Sequence, residues 1–149
     1  MFKNNTSTNI CFKSEDVKSG QTILETSRII RPQDVAMFAS VGYVSPLVYK
    51  IPVIAVISTG NELAEPDEIL PPSKIRNSNS YQLIAQAQRM GCESLYMGIA
   101  KDTPEALDVM VKKAFDLADI VLLSGGVSMG DYDFVPQILA ENGVDIKFQ

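Results

Sequence analysis

Three strand-like stretches, separated by helical patterns, restrict the fold of this chain more than any other feature of it. They are PVIAVIS (residues 52–58), ESLYMGI (93–99) and DIVLLSGG (119–126), the last ending in glycines. The continuous apolar run of the first reads as a strand buried on both faces, as in a parallel sheet covered by helices. Between the first two runs, Leu83, Ile84, Ala87 and Met90 recur at helical spacing, and Gly91 closes the pattern. Between the second and third, Ala106, Leu107, Met110, Val111, Ala114, Phe115 and Ala118 form one apolar helical face. Phe134, Val135, Ile138 and Leu139 then predict another helix, and VDIKF (144–148) a fourth strand. Such an alternation, with right-handed crossovers, gives an α/β fold: three layers, α/β/α, around a mostly parallel sheet.

The rest of the chain divides around that unit. Residues 1–11 are polar and read as a disordered lead. Residues 12–46 read as the end of a β-rich subdomain and a leading helix. GQTILETSRII (20–30) is β-leaning after a glycine turn, so short strands are expected there. Pro32 suits a first helical turn and Gly42 an exit. The α/β domain then occupies 47–149, and its ending inside or just after a strand makes it read as truncated at the C-terminus. Within it, residues 59–77 hold three prolines and no apolar period, which predicts a loop.

Composition narrows the chemistry. With 149 residues, 46% of them apolar, the chain can bury one core. A net charge of -5 leaves no dense basic face for nucleic acid. There is no histidine, and Cys11 and Cys92 match no metal-ligand spacing, which argues against a zinc site and against His-based nucleophilic catalysis. Free thiols in a reducing compartment are the simplest reading of two distant cysteines. No signal region and no bilayer-length apolar stretch is present, so no membrane insertion and a cytoplasmic location are expected.

Ligands of open α/β sheets bind beyond the carboxyl ends of the strands. Three loops fall there. The first, Ser58-Thr59-Gly60-Asn61-Glu62-Leu63, combines small hydroxyls, a glycine that allows close backbone approach, and a carboxylate. The second runs from Ala100 to Glu105, where Asp102-Thr103-Pro104-Glu105 reads first as a helix start capped by Asp102. The third is Gly125-Gly126-Val127-Ser128-Met129-Gly130-Asp131-Tyr132-Asp133. Its glycines, opening a helix, suit a phosphate or pyrophosphate, although it matches neither a P-loop nor a dinucleotide fingerprint. Asp131 and Asp133 can each cap that helix. Two carboxylates beside an anion are costly unless a cation bridges them, which points to a divalent metal.

Taken in order, VISTGNEL, KIRNSNS, the Lys101–Glu105 stretch KDTPE after Gly98-Ile99, and SGGVSMGDYDF resemble the motif set of the MoeA-type molybdopterin molybdotransferases, especially gephyrin-like members. The resemblance covers about residues 52–149. It implies molybdenum cofactor biosynthesis: molybdate enters the dithiolene of adenylylated molybdopterin (molybdopterin-AMP) and AMP leaves, with Mg2+ assisting. Carried over by position, it implies functional roles for Glu62, Asp102 and Asp133, with Asp133 on the metal and adenylate phosphate. Gly125, Gly126, Ser128 and Gly130 would hold the phosphate or pterin end, and Ser58, Thr59 and Gly60 would line the opposite wall. Asp102 thereby moves from cap to site. A homodimer is implied for the longer protein.

Departures from the family pattern leave two alternatives standing. The family often has Asp at Asn77 and commonly Arg at Ser80, so this chain lacks that charge pair. Asn61 stands where bacterial members commonly have Asp, and gephyrin-like ones share the Asn. A downstream Lys-Pro-Gly-Lys-Pro segment is absent. One alternative is therefore a non-catalytic, gephyrin-like scaffold with a receptor or cytoskeletal partner. The other is the related molybdopterin adenylyltransferase, whose third loop usually reads Thr-Thr-Gly-Gly-Thr-Gly.

Overall fold

The computed structural model describes residues 10–125 and 134–147. It divides into two compact units, Met1–Val48 and Tyr49–Gln149.

In the first unit one helix stands out, α1 (Pro32–Ser40). Proline at its first position costs no hydrogen bond, and the Asp34 carboxylate accepts from the Arg31 amide at 2.9 Å, closing the N-terminus. Arg28 and Arg31 both reach Asp34, at 3.3 and 3.2 Å. The Arg31 hydrogen bonds, and then the Arg28 charge, hold that carboxyl below the usual range. The short strands expected over 20–30 do not form. A strand needs a neighbour to accept its ladder, and this exposed stretch has none among the described residues.

The second unit holds the sheet. β1 (Val53–Thr59) is its centre, and β2 (Leu63–Ala64) and β3 (Ile75–Arg76) form a small separate pair in the stretch expected to be loop. Then come α2 (Asn79–Arg89), β4 (Glu93–Ala100), α3 (Pro104–Leu117), β5 (Ile120–Ser124) and α4 (Val135–Glu141). The three-stranded order is β4-β1-β5, and both pairings are parallel. β1 is apolar from Val53 to Ile57 because it is flanked on both sides and covered on both faces.

Successive β1 side chains feed opposite layers. Ala55 and Ile57 pack under α3 and α4 with Leu107, Val111 and Ile138, while Ile54 and Val56 meet Ala87, Leu83 and Ile84 of α2. Val56 and Ile57 are fully buried. Each such side chain contributes roughly 1.5–3 kcal/mol. The chain is thus the expected α/β fold with helices on both faces of a parallel sheet. One irregularity interrupts the β1–β4 ladder: Val56 pairs Tyr96 but Ile57 pairs Gly98, so Met97 is an extra residue.

Two latches close the unit. At its amino edge the Asp119 carboxylate accepts from the Val53 amide at 2.9 Å and from Lys50 at 3.2 Å. These contacts, the backbone one first, hold its pKa low. Between helices, Asp108 of α3 accepts from Asn142 at 2.8 Å. After α2, Gly91 takes a left-handed φ of 80°, its amide bonds to Gln88 O and the Cys92 amide to Ala87 O, a Schellman exit. The same pattern ends α4, where Val144 donates to Leu139 O at 2.9 Å. That use of Val144 shows why the fourth strand expected over 144–148 does not begin there: its first amide closes a helix, and 145–147 join no ladder. No helix among the described residues is long and apolar enough to cross a membrane.

Candidate functional site

All the described chemistry gathers where β1, β4 and β5 end. Thr59 is the last residue of β1 and Asp102 lies two residues beyond β4. The Thr59 hydroxyl donates to Asp102 Oδ1 at 2.7 Å, and the Asn61 amide donates to Oδ2 at 3.3 Å. The Asp102 amide in turn donates to Asn61 Oδ1 at 3.4 Å. Both oxygens of Asp102 are therefore held by the first loop. This corrects the reading of Asp102 as a helix cap. The cap of α3 is Thr103, whose hydroxyl accepts from the Ala106 amide at 3.3 Å. Pro104 at the first helical position sets the phase, so the residue just before it takes the capping geometry.

Glycine is required at two points of this edge. Gly125, with φ 99°, sits so close to β1 that a Cβ there would lie 2.2 Å from Thr59 O. The third loop can leave β5 against β1 only with no side chain at that position. At Gly60 the backbone takes a φ of 149°, which other residues rarely adopt, and the exposed Glu62 carboxylate lies over it, 2.7 Å from where a Cβ would stand.

A cleft of about 170 Å³ opens here, lined by Thr59, Glu62, Arg76, Asn77, Ser124 and Gly125 among others. The structure thus brings Thr59, Gly60, Glu62, Asp102 and Gly125 to one edge. Ser58 is fully buried and absent from the lining: its hydroxyl donates to Asn77 Oδ1 at 3.0 Å and meets Ser80 Oγ. Gly126, Ser128, Gly130 and Asp133 lie outside the described residues. So does any test of Asp133 as a metal ligand. Among the described residues, no group of three or more acids or cysteines is placed to hold a metal ion.

Four further residues shape this edge, three of which, Asn61, Asn77 and Ser80, stand out in the sequence only as departures from the family pattern, and one, Tyr96, not at all. Asn61 supplies half the clamp on Asp102. Asn77 and Ser80 are buried at the start of α2, and Tyr96 joins Asn77 to Glu65. Burial, then the Glu65 hydrogen bond, pushes the Tyr96 phenol above its ordinary value. Polar side chains spread over 58, 65, 77, 80 and 96 have no common period, so only the fold connects them.

Comparison with known proteins agrees with this architecture. Residues 55–147 match the family model described as a probable molybdopterin binding domain, and the chain belongs to that family. It is 38% identical over 143 residues to the molybdopterin molybdenumtransferase of Staphylococcus aureus (strain Mu50 / ATCC 700699), covering 94% of this chain and 33% of that protein. The enzyme of the same name from Bacillus subtilis (strain 168) is likewise 38% identical over 143 residues, covering 96% and 33%. The crystal structure of the molybdopterin biosynthesis MoeA protein from Pyrococcus horikoshii OT3 superposes with a TM-score of 0.65 at 34% identity, covering 77% of this chain and 31% of that one. The chain spans about 33% of the length of these curated relatives.

Proposed function

We propose that this chain is the pterin-nucleotide-binding domain of a molybdopterin molybdotransferase, acting in the insertion of molybdate into adenylylated molybdopterin with release of AMP. The observation that carries this reading is the Asp102 carboxylate clamped between Thr59 Oγ1 and the Asn61 amide at the carboxyl edge of the sheet. A carboxylate held by two donors from a neighbouring strand end keeps one orientation when a ligand arrives, which is what positioning demands. Thr59 orients Asp102, Glu62 lies against Gly60 in the first loop, and at Gly125 the backbone leaving β5 runs close against Thr59. The names of the relatives supply the substrate class.

Magnesium, with Asp133 as its protein ligand, belongs to this proposal on the strength of the resemblance. It would neutralise phosphate charge. The homodimer and the cytoplasmic location come with the same resemblance.

Anaerobic titration of the chain with adenylylated molybdopterin tests the reading. Saturable binding is expected, weakened about tenfold or more in Asp102→Asn, which keeps the shape and loses one acceptor. Equal affinity in the variant, or no binding by the folded chain, overturns the site. ATP turnover with pyrophosphate release would instead assign the adenylyltransferase chemistry.

A further inference from the structure

We propose that Asn77 is a positioning residue whose side-chain amide sets the direction of a hydrogen-bond relay, Ser80 to Ser58 to Asn77 to Tyr96 to Glu65, and that this relay holds the 62–76 wall of the cleft in place.

The direction follows from one fixed donor. The Ser80 backbone N–H points at one end of the Asn77 amide, 3.3 Å away, so that end is the oxygen. Ser58 donates to the same oxygen at 3.0 Å, which commits the Ser58 proton, and the Ser80 hydroxyl beside it then donates to Ser58. The other end of the amide is the nitrogen, and it donates to Tyr96 Oη at 2.8 Å. Tyr96 has a single proton, and with Asn77 donating to it that proton goes to Glu65 Oε1. Glu65 Oε2 accepts from Tyr81 at 3.0 Å. Burial and Glu65 together keep the Tyr96 phenol protonated well above physiological pH. Each hydroxyl proton of the relay is used once, and the relay ends on a carboxylate that needs donors.

Glu65 matters because the wall it belongs to has little else. β2 and β3 pair over two residues each, too short a ladder to stand alone. Their closing bonds are Ile75 N to Glu62 O at 2.8 Å and Asn77 N to Ala64 O at 2.9 Å. The intervening turn is gathered by Arg76 Nη1, which donates to the carbonyls of Glu65, Pro66 and Glu68. Glu65 thus ties this excursion to β4 through Tyr96 and to α2 through Tyr81. Glu62 and Arg76, which line the cleft, ride on it.

Reversing the polarity tests the relay. Asn77→Asp keeps the acceptor for Ser58 and Ser80 but puts a second acceptor against Tyr96, whose one proton cannot serve two carboxylates. Adding Glu65→Gln restores a consistent direction: the new amide donates to Tyr96, Tyr96 donates to the new carboxylate, and the amide oxygen still accepts from Tyr81. Amide hydrogen exchange at Ile75 and Asn77 is the readout. Asn77→Asp and Tyr96→Phe should each speed it about tenfold, while β1 amides stay within about twofold, and Asn77→Asp/Glu65→Gln should return to within about threefold of wild type. A role limited to packing would leave the double variant no better than Asn77→Asp, and that result, or unchanged exchange in Tyr96→Phe, overturns the proposal. If Asn77→Asp does not fold, Tyr96→Phe alone decides. The consequence for ligand rests on the pterin-nucleotide reading: affinity for adenylylated molybdopterin should follow the same order of variants. The exchange result stands without ligand, so failure of that reading and failure of the relay are told apart.

Discussion

Ser58 and Thr59 are neighbours at the end of one strand, are both nearly inaccessible, and do opposite things. Ser58 points to the α2 side, where its hydroxyl joins Asn77 and Ser80 in a buried set of neutral groups. Thr59 points to the α3 side, where its hydroxyl meets a carboxylate on an exposed loop. On the Ser58 side every partner comes from the protein, so a lost hydrogen bond leaves a buried group unpaired. On the Thr59 side water or ligand can take over. Strand alternation therefore splits the end of β1 into a structural half and a ligand-facing half, one residue apart.

Variants can break or sharpen that division. The largest effect should come from Ile57→Ala, which removes the fully buried side chain beneath the Thr59 half. A loss of about 2–5 kcal/mol in denaturant unfolding is expected; a loss below 1 kcal/mol would show that the α3 face repacks freely. Next, Ser58→Ala should cost about 1–3 kcal/mol, because the Ser80 hydroxyl loses its acceptor in a dry site. Thr59→Val, nearly isosteric, should cost less, about 0.5–1.5 kcal/mol, while weakening pterin-nucleotide binding about tenfold. If Thr59→Val proves the more destabilising of the two, the division is wrong.

The smallest effect lies at the opposite end of β1. Asp119 has its folded pKa lowered by the Val53 amide and Lys50, so its contribution is present above the unfolded value and fades as pH falls through the folded one. Asp119→Asn should therefore lower stability by a constant amount near neutrality, and the difference from wild type should close as pH drops below about 4. Unfolding midpoints measured across that range would show it; a difference that persists in acid would mean the carboxylate acts by shape and not by charge.

Much of the fold was legible because long elements carry period. The buried runs became β1, β4 and β5, and the apolar stripes of 83–90 and 106–118 became α2 and α3. Gly42 and Gly91 marked helix exits by chemistry that only glycine performs cheaply. What escaped lacked period. A two-residue pairing such as β2–β3 has no pattern to detect. The β-leaning stretch 20–30 had propensity without a partner, and propensity alone does not make a sheet. At the candidate site, motif order pointed to Thr59, Glu62, Asp102 and Gly125, which the fold brings to one edge, but it placed Ser58 with the ligand, and local residue chemistry alone gave Asp102 the cap that Thr103 provides. Those two choices depend on which face a side chain takes, and that is settled by neighbours from 77, 80 and 103.

The extra residue in β4 has a consequence for chain length. A deletion within a paired strand normally turns every later side chain to the wrong face. At Met97 the arithmetic is reversed, because Val56 already pairs Tyr96 and Ile57 already pairs Gly98. Removing Met97 would leave a regular ladder with the same partners, Tyr96 still facing Asn77 and Asp102 still reaching Thr59. The loss would be confined to what the Met97 side chain contributes against the α3 layer. β4, which presents Tyr96 to one half of the site and leads to Asp102 at the other, thus has one position where it can shorten by a residue without shifting either of them.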